Sequence, residues 1–153
     1  MIRQISPNKW SCLLVSFAQI LDVDFKELIN YIGHNGSELL FPDDPRGDPY
    51  TRRSFNVQEI IDYVLNETLY SVTEICEPVI SCNGLNIHER PMDVQRLRNY
   101  MTIFDGVLLG TAQTGNPHAI SIYQGIGYDT NGMCYSKLDW FDPHTYYVVQ
   151  YFS

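Results

Sequence analysis

Cys12, His118 and Asp142 are the side chains in this chain best placed by type and context to do chemistry together. A cysteine attacks a carbonyl carbon as its thiolate. It needs a base within hydrogen-bond reach and a third group that orients the base. Cys12 stands where a polar segment, Asn8-Lys9-Trp10-Ser11, runs into the apolar Leu13-Leu14-Val15. If a helix starts there, its unpaired N–H groups and positive dipole end favour a thiolate. His118 opens the alternating run His118-Ala119-Ile120-Ser121-Ile122-Tyr123, directly after Gly115-Asn116-Pro117. That places it at a strand end, beside a loop. If residues 118–124 and 133–141 pair as a hairpin, Asp142 returns to the same end and can hold one imidazole nitrogen while the other faces Cys12. Taken singly, each residue has an ordinary reading: a packed thiol, a core histidine, a turn aspartate before Pro143. The order Cys, His, Asp makes them a candidate triad. Asn8, four residues before Cys12, is the candidate oxyanion donor together with the Cys12 N–H, and Gln4 is its alternative.

The elements that must position these groups are legible in outline. Leu13, Leu14, Phe17, Ile20 and Leu21 recur at helical spacing, with Ser11 as the N-cap candidate, so a helix is expected over 12–21. Asp24-Phe25-Lys26-Glu27 and Asn56-Val57-Gln58-Glu59 read as capping boxes. The first opens a helix ending at Gly33, and the second opens one running to about residue 66. Residues 34–54 form a long polar connection with Pro42, Pro45, Pro49, Asp43-Asp44 and Arg52-Arg53, expected to wall a groove. A fourth helix is expected over Asp93 to Ile103. Strands are expected near residues 69–75, 106–111, 118–123, 133–141 and 146–152, with 125–132 as a hairpin tip. Helices followed by consecutive antiparallel strands mean an α+β fold, here a single domain over 1–153.

Composition narrows the function. The chain has 153 residues and is 44% apolar, enough for one core without a disulfide or metal staple. Its eleven tyrosines suit half-buried strands and groove walls. Ten Lys and Arg against eighteen Asp and Glu give a net charge of −8, which disfavours nucleic acid and anionic membranes as partners. No apolar run reaches membrane-spanning length, and Met1-Ile2-Arg3-Gln4 is not a signal peptide, so a soluble cytoplasmic protein with free thiols is expected. Cys76, Cys82 and His88 are separated by five-residue gaps, unlike a zinc site, and Cys134 is remote. The glycine-rich stretches lack a phosphate-loop pattern. No metal or cofactor is therefore expected. His34, His88 and His144 lie in loops or irregular segments and are weaker candidates for the base.

The Cys-led first helix, the late His-Ala-Ile-Ser-Ile-Tyr strand and the closing Trp140-Phe141-Asp142-Pro143 resemble papain-like cysteine peptidases. The nearest likeness is to the small C39-like group typified by bacteriocin-leader peptidases, and small proteins of this appearance also occur in bacteriophages. The short Asn-to-Cys spacing is similar to that of ovarian-tumour-type deubiquitinases. The resemblance implies a papain-like fold and hydrolysis of a peptide or isopeptide bond through a thioester on Cys12, with a peptide or protein tail as substrate. Two departures stand out: Ser11-Cys12-Leu13 replaces the family's Asp-Cys-Gly, and Ser6 occupies the position of its oxyanion glutamine. An inactive papain-like module that binds a partner protein, and a transglutaminase-like amide transfer, are the alternatives.

Overall fold

A computed structural model describes residues 1–40, 52–76, 79–82, 85–89, 94–112 and 115–152. In chain order the elements are α1 (Cys12–Leu21), α2 (Phe25–Ile32), α3 (Val57–Glu67), β1 (Tyr70–Cys76), β2 (Val79–Cys82), β3 (Leu85–Glu89), α4 (Val94–Ile103), β4 (Gly106–Ala112), β5 (Pro117–Tyr123), β6 (Ile126–Tyr128), β7 (Cys134–Tyr135) and β8 (Phe141–Tyr151). The fold is α+β. Six strands form an antiparallel sheet in the order β1-β8-β4-β5-β6-β7, and β2 and β3 form a separate hairpin.

Period-two alternation gives the sheet two working faces. Val107, Ala119, Tyr147 and Val149 face the core that holds α1, α2 and α3. Leu108, Ile120, Ile122, Tyr146 and Val148 face the core that holds Leu97 and Met101 of α4. Helix α1 is more deeply placed than a one-sided apolar stripe implies. Every residue from Leu14 to Leu21 is buried, including Ser16 and Gln19. It lies between β4 and β5 on one side and α2 and α3 on the other.

The caps hold with two differences. Asn56 and Glu59 form the expected reciprocal box at α3, and Gly33 closes α2 in a left-handed conformation at φ 89°. At α2 the expected box is only half formed: Asp24 accepts from the Lys26 N–H, with no reciprocal Glu27 bond to the Asp24 N–H. Ser11 stands at the N-cap of α1, yet its hydroxyl does not cap the helix; it donates to Asn8 Oδ1 at 2.7 Å. In α3, Ile60, Tyr63 and Val64 are buried and Leu65 is exposed, so the inner face runs through Tyr63 rather than Leu65.

Strand pairing departs from the expected hairpin. The turn at Gln124-Gly125 (φ 51° and 79°) sends the chain straight back as β6, so β5 pairs with β6. In the region 133–141, Cys134–Tyr135 is a short strand that pairs with β6, and Phe141 already begins β8. β8 instead lies on the far side of β4, with Thr111 opposite both Pro117 of β5 and Asp142 of β8. Within 34–54, Leu39 and Arg52 form an isolated bridge, while Pro42, Asp43, Asp44, Pro45 and Pro49 lie outside the described residues.

Gly110 marks where β8 bends past β4, at a register shift. A Cβ there would overlap the Asp142 carbonyl oxygen and crowd the Phe141 ring. Two backbones can approach this closely only where a side chain is missing. Gly110→Ala is expected to cost about 3 kcal/mol through overpacking. A thermal melt would then show Tm lowered by roughly 6–12 °C.

Candidate functional site

Cys12 is the first residue of α1, partly exposed, at the N-terminal mouth of that buried helix. His118 is the second residue of β5, opposite Gly110 of β4. Cys12 lies close enough to His118 to hydrogen-bond with it and to act on its charge. Two of the three expected groups therefore meet. The third does not. Asp142 is exposed on β8, and β4 separates it from β5. The carboxylate that reaches His118 is Asp129, whose Oδ1 and Oδ2 lie 3.0 and 2.9 Å from Nε2. The Asp129 side chain is 3% exposed, whereas His118 is 25% exposed. With Nε2 committed to Asp129, Nδ1 is the nitrogen left for Cys12.

The electrostatics follow from this geometry. Burial alone would depress the His118 pKa from its usual 6.5. Hydrogen bonding to Asp129 and Cys12, and the negative charge of Asp129, override burial and push it up to about 10. The imidazolium is thus the favoured form at neutral pH.

Asn8 is fixed rather than loose. Its Oδ1 accepts from the Trp10 N–H at 3.1 Å and from the Ser11 hydroxyl at 2.7 Å, and Ser6 Oγ donates to its carbonyl oxygen. Ser11 therefore fixes the orientation of the Asn8 amide. With Oδ1 occupied, the amide's remaining donor is Nδ2, and Asn8 lines the same groove as Cys12. Gln4 is turned away: Nε2 donates to the Val23 carbonyl at 2.6 Å and Oε1 accepts from the Phe25 N–H at 2.8 Å.

The groove has a volume of about 790 Å³, with Asn8, Cys12, His118, Asp129, Tyr135 and Trp140 among its walls. The Trp140 ring lies 6.4 Å from the His118 ring and 4.8 Å from Tyr135. Behind the groove a buried polar network ties α1 to the sheet. Ser16 Oγ donates to the Ala119 carbonyl, and Ser121 Oγ donates to the Ser16 carbonyl. Gln19 Nε2 donates to Ser121 Oγ at 2.8 Å and to the Tyr128 carbonyl, next to Asp129.

The other candidates have structural partners. The Gly36 N–H donates to His34 Nδ1, and His34 Nε2 is 2.8 Å from Glu59, so that imidazole is a loop fastener stacked on Phe55. His144 meets Thr111 at an exposed position. Arg52 lies over Trp10 and donates to the Ser37 carbonyl, while Arg53 is shared between Glu38 and Glu59. Cys134 is an exposed free thiol. The side chains of Cys76, Cys82 and His88 lie outside the described residues.

No family model, curated protein or solved structure matches this chain. Among the described residues, no helix is long and apolar enough to cross a membrane.

Proposed function

We propose that this chain is a papain-like cysteine hydrolase that cleaves a peptide or isopeptide bond, with Cys12, His118 and Asp129 as its catalytic groups. The observation that carries this reading is the doubly hydrogen-bonded Asp129–His118 pair set beside a cysteine at a helix mouth. Asp129 keeps Nε2–H donated to its carboxylate, so Nδ1–H donates to the Cys12 thiolate. The sulfur attacks the carbonyl carbon, and the oxyanion is held by the Cys12 N–H and Asn8 Nδ2. As the C–N bond breaks, the imidazolium proton passes to the leaving amine, and a thioester remains on Cys12. Water, deprotonated by Nδ1 of the now neutral imidazole, adds to the thioester. The thiolate leaves, the acid product departs and the imidazolium is restored. The chain order Cys, His, Asp and the helix packed on an antiparallel sheet support the papain-like assignment. A soluble cytoplasmic setting and a polypeptide substrate accompany it.

The test uses the protein's own exposed thiol as a control. Iodoacetamide at pH 6 is expected to label Cys12 at least tenfold faster than Cys134, because a thiolate is the reacting species. His118→Ala should remove the difference. Equal rates at Cys12 and Cys134 in the unaltered protein would sink the hydrolase and favour a partner-binding module of the same fold.

A further inference from the structure

Three concavities run together around the end of the sheet. The catalytic groove shares Ala112 and Trp140 with a neighbouring hollow of about 580 Å³. That hollow shares Arg98, Leu138, Asp139, Phe141 and Pro143 with a third cavity of about 480 Å³ under α4. Trp140 is the saddle between the first two. The last cavity is floored by Leu97, Met101, Leu108 and Phe141, all of them buried, and rimmed by exposed Arg98, Ser136, Lys137 and Asp139.

We infer that this trough is an extended binding site for a polypeptide substrate, and that its far cavity takes one large apolar side chain of that polypeptide. The inference rests on the hydrolase reading for its direction. The proton that His118 gives up must reach the leaving amine, so the leaving segment lies beside His118. Trp140 is the next ring along. From there the trough continues into the α4 cavity, so the anchor residue belongs to the leaving, C-terminal side of the scissile bond. The chemistry of the walls selects the class of occupant. An apolar floor suits Leu, Met or Phe. The rim carries both signs of charge, with Arg98 and Asp139 3.9 Å apart, so it does not select a free anion such as a fatty acid. Its mixed donors and acceptors suit a peptide backbone.

The test is selection of a random-sequence peptide library on immobilised Cys12→Ala protein, with the bound peptides sequenced. Bound peptides should be enriched on the order of tenfold for Leu, Met or Phe at one fixed position, the discrimination one hydrophobic pocket gives. Thr102→Trp and Ser136→Trp, at exposed positions lining the cavity on α4 and on the segment after β7, should each erase the enrichment by filling its mouth. The unaltered protein should cut the enriched peptides on the N-terminal side of that position. Absence of enrichment, or enrichment that survives both rim variants, would overturn the trough. Rim-sensitive enrichment alongside a Cys12 no more reactive than Cys134 would support the trough while removing the hydrolase reading.

Discussion

Asp129→Asn is expected to disable the site and Asp142→Asn to leave it intact. Asp129 is nearly fully buried, and both its oxygens lie within hydrogen-bond range of His118 Nε2. An amide in its place carries no charge to hold the imidazolium, and its NH₂ can donate to Nε2, which would leave Nδ1 protonated in the neutral ring. The His118 pKa should then fall from about 10 back toward 6.5. Cys12 alkylation at pH 6 should drop at least tenfold, and hydrolysis by roughly 10²–10⁴-fold, the range for a lost general acid–base function. Asp142, exposed and one strand removed from β5, should leave Cys12 alkylation unchanged. Stability carries the same signature. The folded pKa of His118 lies above its unfolded value, so the stability it contributes is fully present below pH 6.5 and is lost as pH rises through about 10. The difference in Tm between the unaltered protein and Asp129→Asn should therefore be largest at the acid end of that window and vanish at its alkaline end. Loss of Cys12 reactivity in Asp142→Asn but not in Asp129→Asn would reverse the assignment.

The contrast between the two aspartates also shows what local pattern can and cannot reveal. The helix at Cys12 and the strand at His118 are each announced within a few residues, by apolar spacing and by alternation, and both lie where expected. Their meeting follows from a helix buried against the sheet. The third group depended on strand register, which local pattern leaves open. Treating residues 125–132 as a hairpin tip hides Asp129 in a turn. Treating Gln124-Gly125 alone as a two-residue turn would pair Tyr123 with Ile126 and Ser121 with Tyr128, as observed. Continued one step, that register brings Asp129 across from Ile120, on the face that also carries His118. The signal was present, but Gln-Gly is a weaker turn signal than Asn-Gly. Asp142-Pro143 is the more conspicuous local pattern. Nothing local says that β8 crosses to the far side of β4. The same limit applies to Ser11: its type and place fit an N-cap, but an acceptor three residues earlier, Asn8 Oδ1, takes its hydroxyl instead.

Gln19 is where fold and chemistry are joined, so Gln19→Met should lower both stability and reactivity. The side chain is fully buried and has three partners on three segments. Its Oε1 accepts from the Gln4 N–H at 3.0 Å, and its Nε2 donates to Ser121 Oγ and to the Tyr128 carbonyl. Methionine matches it in length but offers none of these bonds. Burying a polar group without its partner costs roughly 1–3 kcal/mol. Ser121 Oγ keeps its bond to the Ser16 carbonyl while the Gln4 N–H loses its acceptor, so a net loss of about 3 kcal/mol is expected. For a chain of this size that lowers Tm by roughly 6–12 °C. Gln19 touches neither Cys12 nor His118 in any described bond, so it is a positioning residue. Its effect on chemistry is through the Tyr128 carbonyl, which holds the residue preceding Asp129 against α1. Freed of that bond, the Asp129 carboxylate should hold Nε2 less tightly, and Cys12 alkylation at pH 6 should slow several-fold at temperatures well below the lowered Tm. Ile60→Ala, on the fully buried face of α3, is the comparison that separates the two contributions. It should lower Tm to a similar degree by leaving a cavity in the core, on an element that carries none of Cys12, His118 and Asp129. If both variants slowed alkylation equally, loss of stability alone would account for the effect and Gln19 would have no positioning role. If only Gln19→Met did so, the amide that links helix, sheet and carboxylate would be the cause.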